Sequence, residues 1–414
     1  MSTPKILYNA KDSPHLNSGY GIMTRYLTPL LAKRYGAKNV NIMAPVYQKD
    51  HILKYRGMNV LPGTGFDFGE NIILEHYNAT GSNILLQVGD ATPLGALPDL
   101  AAKNQVLWVQ WMPVDFLGTP KNIVNRIQFA YKIIPFTKQG EAMLRQAGFG
   151  NVDKAIWLGL NTKLWRPQER KDLPKVMQSL NFREDTFNLL IVGANQERKR
   201  LRQQLEGIAL FRAAVKQANP RLYIHTTISA GERDIAADLD ELGLADITTY
   251  PTQYSMVTGG FGEDKMVAIF NCADVCLNVC MEGFGYSMLQ AQSVGVPVIY
   301  LTAGAGPEIV VNGAGVSPLN AETLRNQMAS AIPDVQQIAE ALEVMWRKRM
   351  DAGKPLRSEK AIQFVQDNFA WESIAGQWFD TIDRIMVDQE RYCYQVPPSS
   401  DDLELRARTI VEVN

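Results

Sequence analysis

Short apolar runs alternate with stretches of helical periodicity over the first 160 residues. The runs KILYNA (5–10), NVNIMAPV (39–46), NILLQVGDA (83–91), QVLWVQWMPV (105–114), KIIPFT (132–137) and KAIWLGL (154–160) predict strands. Between the first two, Ile22, Met23, Tyr26, Leu27, Leu30 and Leu31 recur at the spacing of one helix face. Strand and helix in alternation predict a parallel sheet covered on both faces.

Residues 161–185 break this rhythm: the stretch is polar, holds two prolines and reads as a linker. A second alternating set follows. Its predicted strands are 187–194, 221–229, 247–253, 273–279, 297–301 and 315–319, and its helices 198–218, 231–243, 262–272, 284–295, 334–352 and 357–368. In 371–386, Trp371, Ile374, Trp378, Ile382 and Ile385 share a helical face. The pattern predicts an α/β protein of two doubly wound, Rossmann-like domains facing a central cleft. The first spans 1–165, the second 186–370, and 389–414 form a tail that the pattern does not place.

Composition adds exclusions. The chain has 414 residues, enough for two or three domains, with 46% hydrophobic and 21% charged residues. A formal net charge of −1 gives no support to nucleic acid or an anionic membrane as partner. No apolar run reaches the length of a membrane span, and the N-terminus lacks a signal-peptide pattern, so a cytoplasmic protein is expected. Cys272, Cys276 and Cys280 are spaced by four without a nearby histidine, and read as small buried apolar residues rather than a metal set. Asp238 and Asp240 fall in a helical pattern and read as a solvated face, so no metal ligands are expected.

Three stretches carry candidate chemistry. In LNSGYGIMTRYL (16–27), Gly19 and Gly21 at a helix entrance would let backbone N–H groups approach an anion; a plain turn is the alternative. In IVGANQERKRL (191–201), a strand ends at Gly193, and Arg198 and Lys199 open a helix. Cations repel that end of the dipole, so a bound diphosphate would offset their cost; a solvated basic face is the alternative. In MEGFGYSMLQAQSVGVP (281–297), Glu282 precedes Gly-Phe-Gly at a helix mouth. The amides there can meet phosphate or sugar oxygens, and the carboxylate can accept from ligand hydroxyls. An acid that merely stabilises the dipole would not need the two glycines.

Together these stretches resemble the GT-B glycosyltransferases, specifically the large retaining family 4 (glycosyl transferases group 1). VGANQERK is similar to that family's glycine-then-basic segment, and EGFGYSMLQAQSVGVPVIY to its acid–seven–acid signature. LGLNTKLWRP resembles its interdomain phrase, and FAWESIAGQWFDTI its closing helix. The resemblance implies a closing helix 371–388 that rejoins the first, acceptor-side domain, with the donor held by the second.

It further implies metal-independent transfer of a sugar, with retention, from a UDP- or GDP-sugar and without a cofactor. Glu282 would bind hydroxyls of the transferred sugar. Backbone groups of Gly283, Phe284, Gly285, Tyr286 and Ser287 would face sugar and diphosphate, with Gly193 beside them. Arg198 and Lys199 would neutralise the departing diphosphate, Gly19 and Gly21 would complete the cradle, and Gln290 would meet the ribose. Departures from the pattern are Ala194, where an arginine is usual, and Gln290, where the second acid is usual. Asp115 is expected on the acceptor side, with a structural turn as its alternative, and His15 lies near the glycine loop. The acceptor is not readable: a glycan or glycolipid precursor is the family default, and a modified DNA base finds no support in the net charge. A donor-binding protein without turnover and a nucleotide-sugar epimerase of the same fold are the rival functions.

Overall fold

In the first sheet, four strands are buried along their whole length: β1 (Ile6–Ala10), β2 (Val40–Met43), β5 (Ile84–Val88) and β6 (Trp108–Met112). Uninterrupted burial is what a parallel sheet covered on both faces demands, and it explains why these segments read as apolar runs. The computed structural model describes residues 3–44, 51–63, 69, 71–91, 94–118, 120–325, 327–394 and 410–412. The chain divides into two compact units. One comprises Met1–Val114, Gly118–Gly159 and Trp371–Asn414, and the other Asp115–Leu117 and Leu160–Ala370.

With β3 (Leu53–Tyr55), β4 (Met58–Leu61) and β7 (Lys132–Pro135), the first sheet has the order β3-β4-β2-β1-β5-β6-β7. All pairs are parallel except the β3–β4 hairpin. Its two-residue turn places both Arg56 and Gly57 at positive φ, 48° and 84°. Sequence periodicity misses this hairpin because β3 is short and its residues LKY are largely exposed. The expected strand 154–160 does not form. The segment runs beside the sheet instead, with Ile156 N–H donating to Pro135 O (3.0 Å) and Ile156 O accepting from the Trp111 indole N–H (3.0 Å). Helix Trp371–Arg391 belongs to this unit, and Trp378 meets Trp111 edge-on at 5.0 Å. The expected strand end at 45–46 lies outside the described residues.

The second sheet has the order β10-β9-β8-β11-β12-β13, all parallel. Its strands are β8 (Phe187–Val192), β9 (Pro220–His225), β10 (Thr248–Thr249), β11 (Val275–Asn278), β12 (Val298–Leu301) and β13 (Gly313–Val316). The order reverses between β8 and β11, the topological switch point where doubly wound folds place ligands. Two expectations are corrected here. The strand at 247–253 is two residues long, because Gln253–Val257 turns into a helix capped by Thr252. The strand at 315–319 is broken after Val316; Pro318 instead starts an antiparallel hairpin, β14 (Pro318–Thr323) with β15 (Ala329–Pro333).

Residues 161–185 pack with the second unit rather than hanging as a bare linker. Arg170 is buried against Asp274 at 2.8 Å, and the Trp165 indole donates to Glu263 at 3.2 Å. Asp238 is also not a solvated acid. It is buried and ion-paired with Arg202 and Arg233, both at 2.9 Å, whereas Asp240 is exposed. Cys272, Cys276 and Cys280 are buried free thiols. Burial pushes the first and last up to about 12.

Candidate functional site

Strands β8 and β11 are neighbours, so the loops that leave their C-terminal ends are brought together. After β8 the chain passes Gly193, makes a single 3-10 turn at Glu197–Lys199, and enters helix Leu201–Ala214 through Arg200. After β11 it passes Glu282 and enters helix Tyr286–Ser293 through Gly285. Gly285 sits at φ 87°, a left-handed conformation, and a Cβ there would lie 2.2 Å from Met288 Cε. The Glu282 carbonyl accepts from Ala305 N–H at 2.9 Å, which anchors the loop from below.

Lys199 Nζ forms an ion-paired hydrogen bond with Glu282 Oε1, and Arg198 Nη1 stands 3.6 Å from Glu282 Oε2. Burial would push the Glu282 carboxyl up, but Lys199, Arg198 and the hydrogen bonds outweigh it and hold the group below the usual carboxylate value. Although only 8% exposed, Glu282 is therefore held ionised by these partners in a largely desolvated place. Asn278, at the end of β11, donates to both Ser287 Oγ (2.5 Å) and Glu282 Oε1 (3.3 Å). It was not among the residues singled out from sequence, although a lone amide ending an apolar strand is the signal that marks it.

The helix mouth is open to hydrogen bonding. Among the described residues, the amides of Gly283, Phe284, Gly285 and Ser287 donate to no protein acceptor. Undonated N–H groups at a helix N-terminus form an anion site together with the dipole. One turn further, Gln290 is 8% exposed and its side-chain amide makes no hydrogen bond among the described residues. Its neighbour Gln292 is spent on structure, donating to Ile309 O (2.9 Å) and accepting from Val311 N–H (2.7 Å).

Asp115 is placed differently from the expectation. It belongs to the second unit, not the first, and its Oδ2 lies 3.2 Å from Arg198 Nη1. The Leu117 N–H bond to Ala329 O (2.8 Å) draws the segment there. Gly193 lies beside Lys199, whose Cδ would be 3.9 Å from an added Cβ.

In the first unit, the glycine loop is built otherwise than the sequence implies. The Gly21 amide is already committed to the Ser18 cap at 3.0 Å and is not available to an anion. A glycine is required because a Cβ would lie 2.3 Å from Leu16 O. The Gly19 amide donates to no acceptor among the described residues. His15 packs edge-on against Tyr55 at 5.5 Å.

Residues 188–347 match the family described as glycosyl transferases group 1. That segment contains Lys199, Glu282 and the helix mouth. Compared by sequence with curated proteins, the chain has no match. Among solved structures it is similar to sucrose-phosphate synthase from Thermosynechococcus elongatus, at TM-score 0.73 and 17% identity, over 93% of this chain and 100% of that one. It is also similar to Anabaena HepE in complex with UDP-glucose, at TM-score 0.66 and 15% identity, over 92% and 99%. A glycosyltransferase from Rickettsia africae matches at TM-score 0.66 and 13% identity, over 93% and 99%. The fold is GT-B, with two Rossmann-like domains. Among the described residues no helix is long and apolar enough to cross a membrane.

Proposed function

We propose that this protein is a glycosyltransferase that moves a sugar from a nucleotide diphosphate sugar to an acceptor hydroxyl, with retention of configuration and without a metal. The observation that carries the reading is the convergence of Arg198, Lys199 and Glu282 beside the undonated amides of Gly283, Phe284, Gly285 and Ser287. Diphosphate departure develops negative charge. Two cations and a preorganised row of N–H groups stabilise that charge most where it grows. In this role the side chains supply what a divalent cation supplies in other transferases.

Glu282 then accepts from hydroxyls of the transferred sugar, and Asn278 holds its carboxylate in register. Gln290 hydrogen-bonds the ribose as a neutral group, and Tyr286 and Gly193 line the same approach. Asp115 balances Arg198 until a diphosphate replaces it. Within the first unit, the Gly19 amide donates to no acceptor among the described residues, and Gly21 gives only the shape of its loop. UDP is the first nucleotide to test, because Anabaena HepE, similar in fold, is seen with UDP-glucose; GDP is the second. The acceptor belongs to the class of glycan or glycolipid precursors, and the near-zero net charge favours no nucleic acid.

The experiment is incubation with UDP-glucose and a GDP-sugar, with and without an acceptor panel, measuring nucleoside diphosphate release. Release that is lost in Glu282→Ala and Lys199→Ala supports the reading. Nucleotide binding without release, across the panel, favours the second reading. That reading is a donor-binding protein without turnover, motivated by Ala194 and Gln290 at positions where charged residues are expected.

A further inference from the structure

Arg200 follows the cationic pair, yet its side chain plays a different part. It is 3% exposed, and its guanidinium donates from Nε to Ala331 O (3.1 Å) and from Nη2 to Ser330 O (3.3 Å), with Nη1 ion-paired to Glu322. Its backbone is left-handed, φ 51° and ψ 36°, a conformation that is costly for a residue with a Cβ. A strained, buried arginine whose donors all go to one hairpin is not a solvated basic face.

The hairpin β14–β15 touches every segment that carries the site. Ala329 O holds Leu117 N–H at 2.8 Å, two residues from Asp115. Ala331 N–H meets Met281 Sδ at 3.4 Å, one residue from Glu282. Gln204, also buried, closes the frame by donating to Lys199 O (2.8 Å) and accepting from Val279 N–H (3.3 Å). The turn bearing Arg198 and Lys199, the loop bearing Glu282 and the segment bearing Asp115 thus share one support.

We infer that Arg200 is a positioning residue: by clamping the turn 197–200 to the hairpin, it fixes Arg198 and Lys199 for a nucleoside diphosphate. The inference rests on the proposed reading of that pair as the diphosphate grip. Backbone carbonyls as acceptors suit the task, because they set a position without depending on flexible side chains. A lysine could reach one of the acceptors but not all three, since the guanidinium fork supplies separate donors.

The test uses the full chain, with UDP and GDP as probes, and two readouts. Arg200→Gly tolerates the left-handed backbone and removes the clamp; Arg200→Lys serves where the glycine variant fails to fold. Amide hydrogen exchange is expected to rise in 194–200, 279–287 and 318–333, and to stay unchanged in the rest of the second unit. UDP affinity by calorimetry is expected to fall at least tenfold. In a background of Arg198→Ala with Lys199→Ala, the same change is expected to cost less than twofold further, because the groups it positions are gone. Exchange that rises throughout the unit, or nowhere, overturns the inference, as does an equal affinity loss in both backgrounds. If the wild type binds neither UDP nor GDP, the diphosphate reading itself fails. The exchange pattern then still decides whether Arg200 holds the turn.

Discussion

Lys199 and Glu282 are ion-paired between the loops that follow two adjacent parallel strands, Lys199 in the turn after β8 and Glu282 in the loop after β11. The pair is nearly out of solvent, with side-chain exposures of 13% and 10%. Removing one partner leaves the other charge desolvated and uncompensated. Glu282→Gln is therefore expected to abolish nucleotide-sugar turnover and to destabilise the fold by about 2 kcal/mol. The checks are nucleoside diphosphate release and urea unfolding. Unchanged turnover in a folded Glu282→Gln protein would remove this carboxylate from the chemistry.

The acid side of the stability profile carries two signatures. Burial, assisted by Lys265, pulls His225 down from 6.5 to about 4, so the imidazole is neutral in the fold. The unfolded chain then binds a proton that the folded chain does not, over the window between those values. The stability that neutral His225 contributes is present above 6.5 and lost as pH falls toward about 4, amounting to about 3 kcal/mol. Glu282 is held below its usual 4.5, so its contribution is present above that value and lost as pH falls further. Denaturant unfolding from pH 7.5 to 3.5 should show the first loss in wild type and not in His225→Phe. The Glu282→Gln protein should retain it and lack only the later one.

Gln290 sits one turn into the helix that begins at Tyr286, with its amide uncommitted. On the proposed reading of Gln290 as the ribose contact, a carboxylate there would give the ribose hydroxyls a charged acceptor, which strengthens a hydrogen bond roughly twofold. Gln290→Glu is expected to keep turnover and to bind UDP about three- to tenfold more tightly in calorimetry. Weaker binding would place the ribose elsewhere.

The parallel strands were legible because full burial writes itself as apolar runs, and helices such as 335–352 because one face is buried at helical spacing. The hairpins β3–β4 and β14–β15 were not: β14 is exposed along its whole length, and exposed strands carry no burial period. At the site, Glu282 stood out because an acid beside two glycines at a helix mouth has few purely structural uses, and Arg198 and Lys199 because cations at the predicted start of a helix oppose its dipole. Asp115 was legible as a polar group but not as a member of the second unit, because its position depends on Leu117 bonding to Ala329, more than 200 residues away. Arg200 and Gln204 were hidden for the same reason: their partners lie in the hairpin and beyond β11. Local pattern identifies a group's chemistry, whereas long-range hydrogen bonds decide where it acts.

Gly207 offers a test of the second unit's packing that is separate from the site. It lies inside helix Leu201–Ala214, where propensity alone predicts that alanine would stabilise by about 1 kcal/mol. An added Cβ, however, would lie 2.4 Å from Ile338 Cγ2 and 3.3 Å from Val335 O, on the helix Val335–Ala352. Both neighbours are held: Ile338 is fully buried in the core, and Val335 is at the capped start of its helix. Overpacking therefore wins, and Gly207→Ala is expected to destabilise by about 2 kcal/mol. Ile338→Ala removes Cγ2 but keeps Ile338 Cβ, which would lie 2.6 Å from the added atom, so it relieves only part of the clash; it also costs stability by itself through the cavity it leaves. The double variant should be more stable than the sum of the two losses, with a coupling of about 1 kcal/mol in a denaturant double-mutant cycle. Strict additivity would mean that the helices are spaced by something other than this contact.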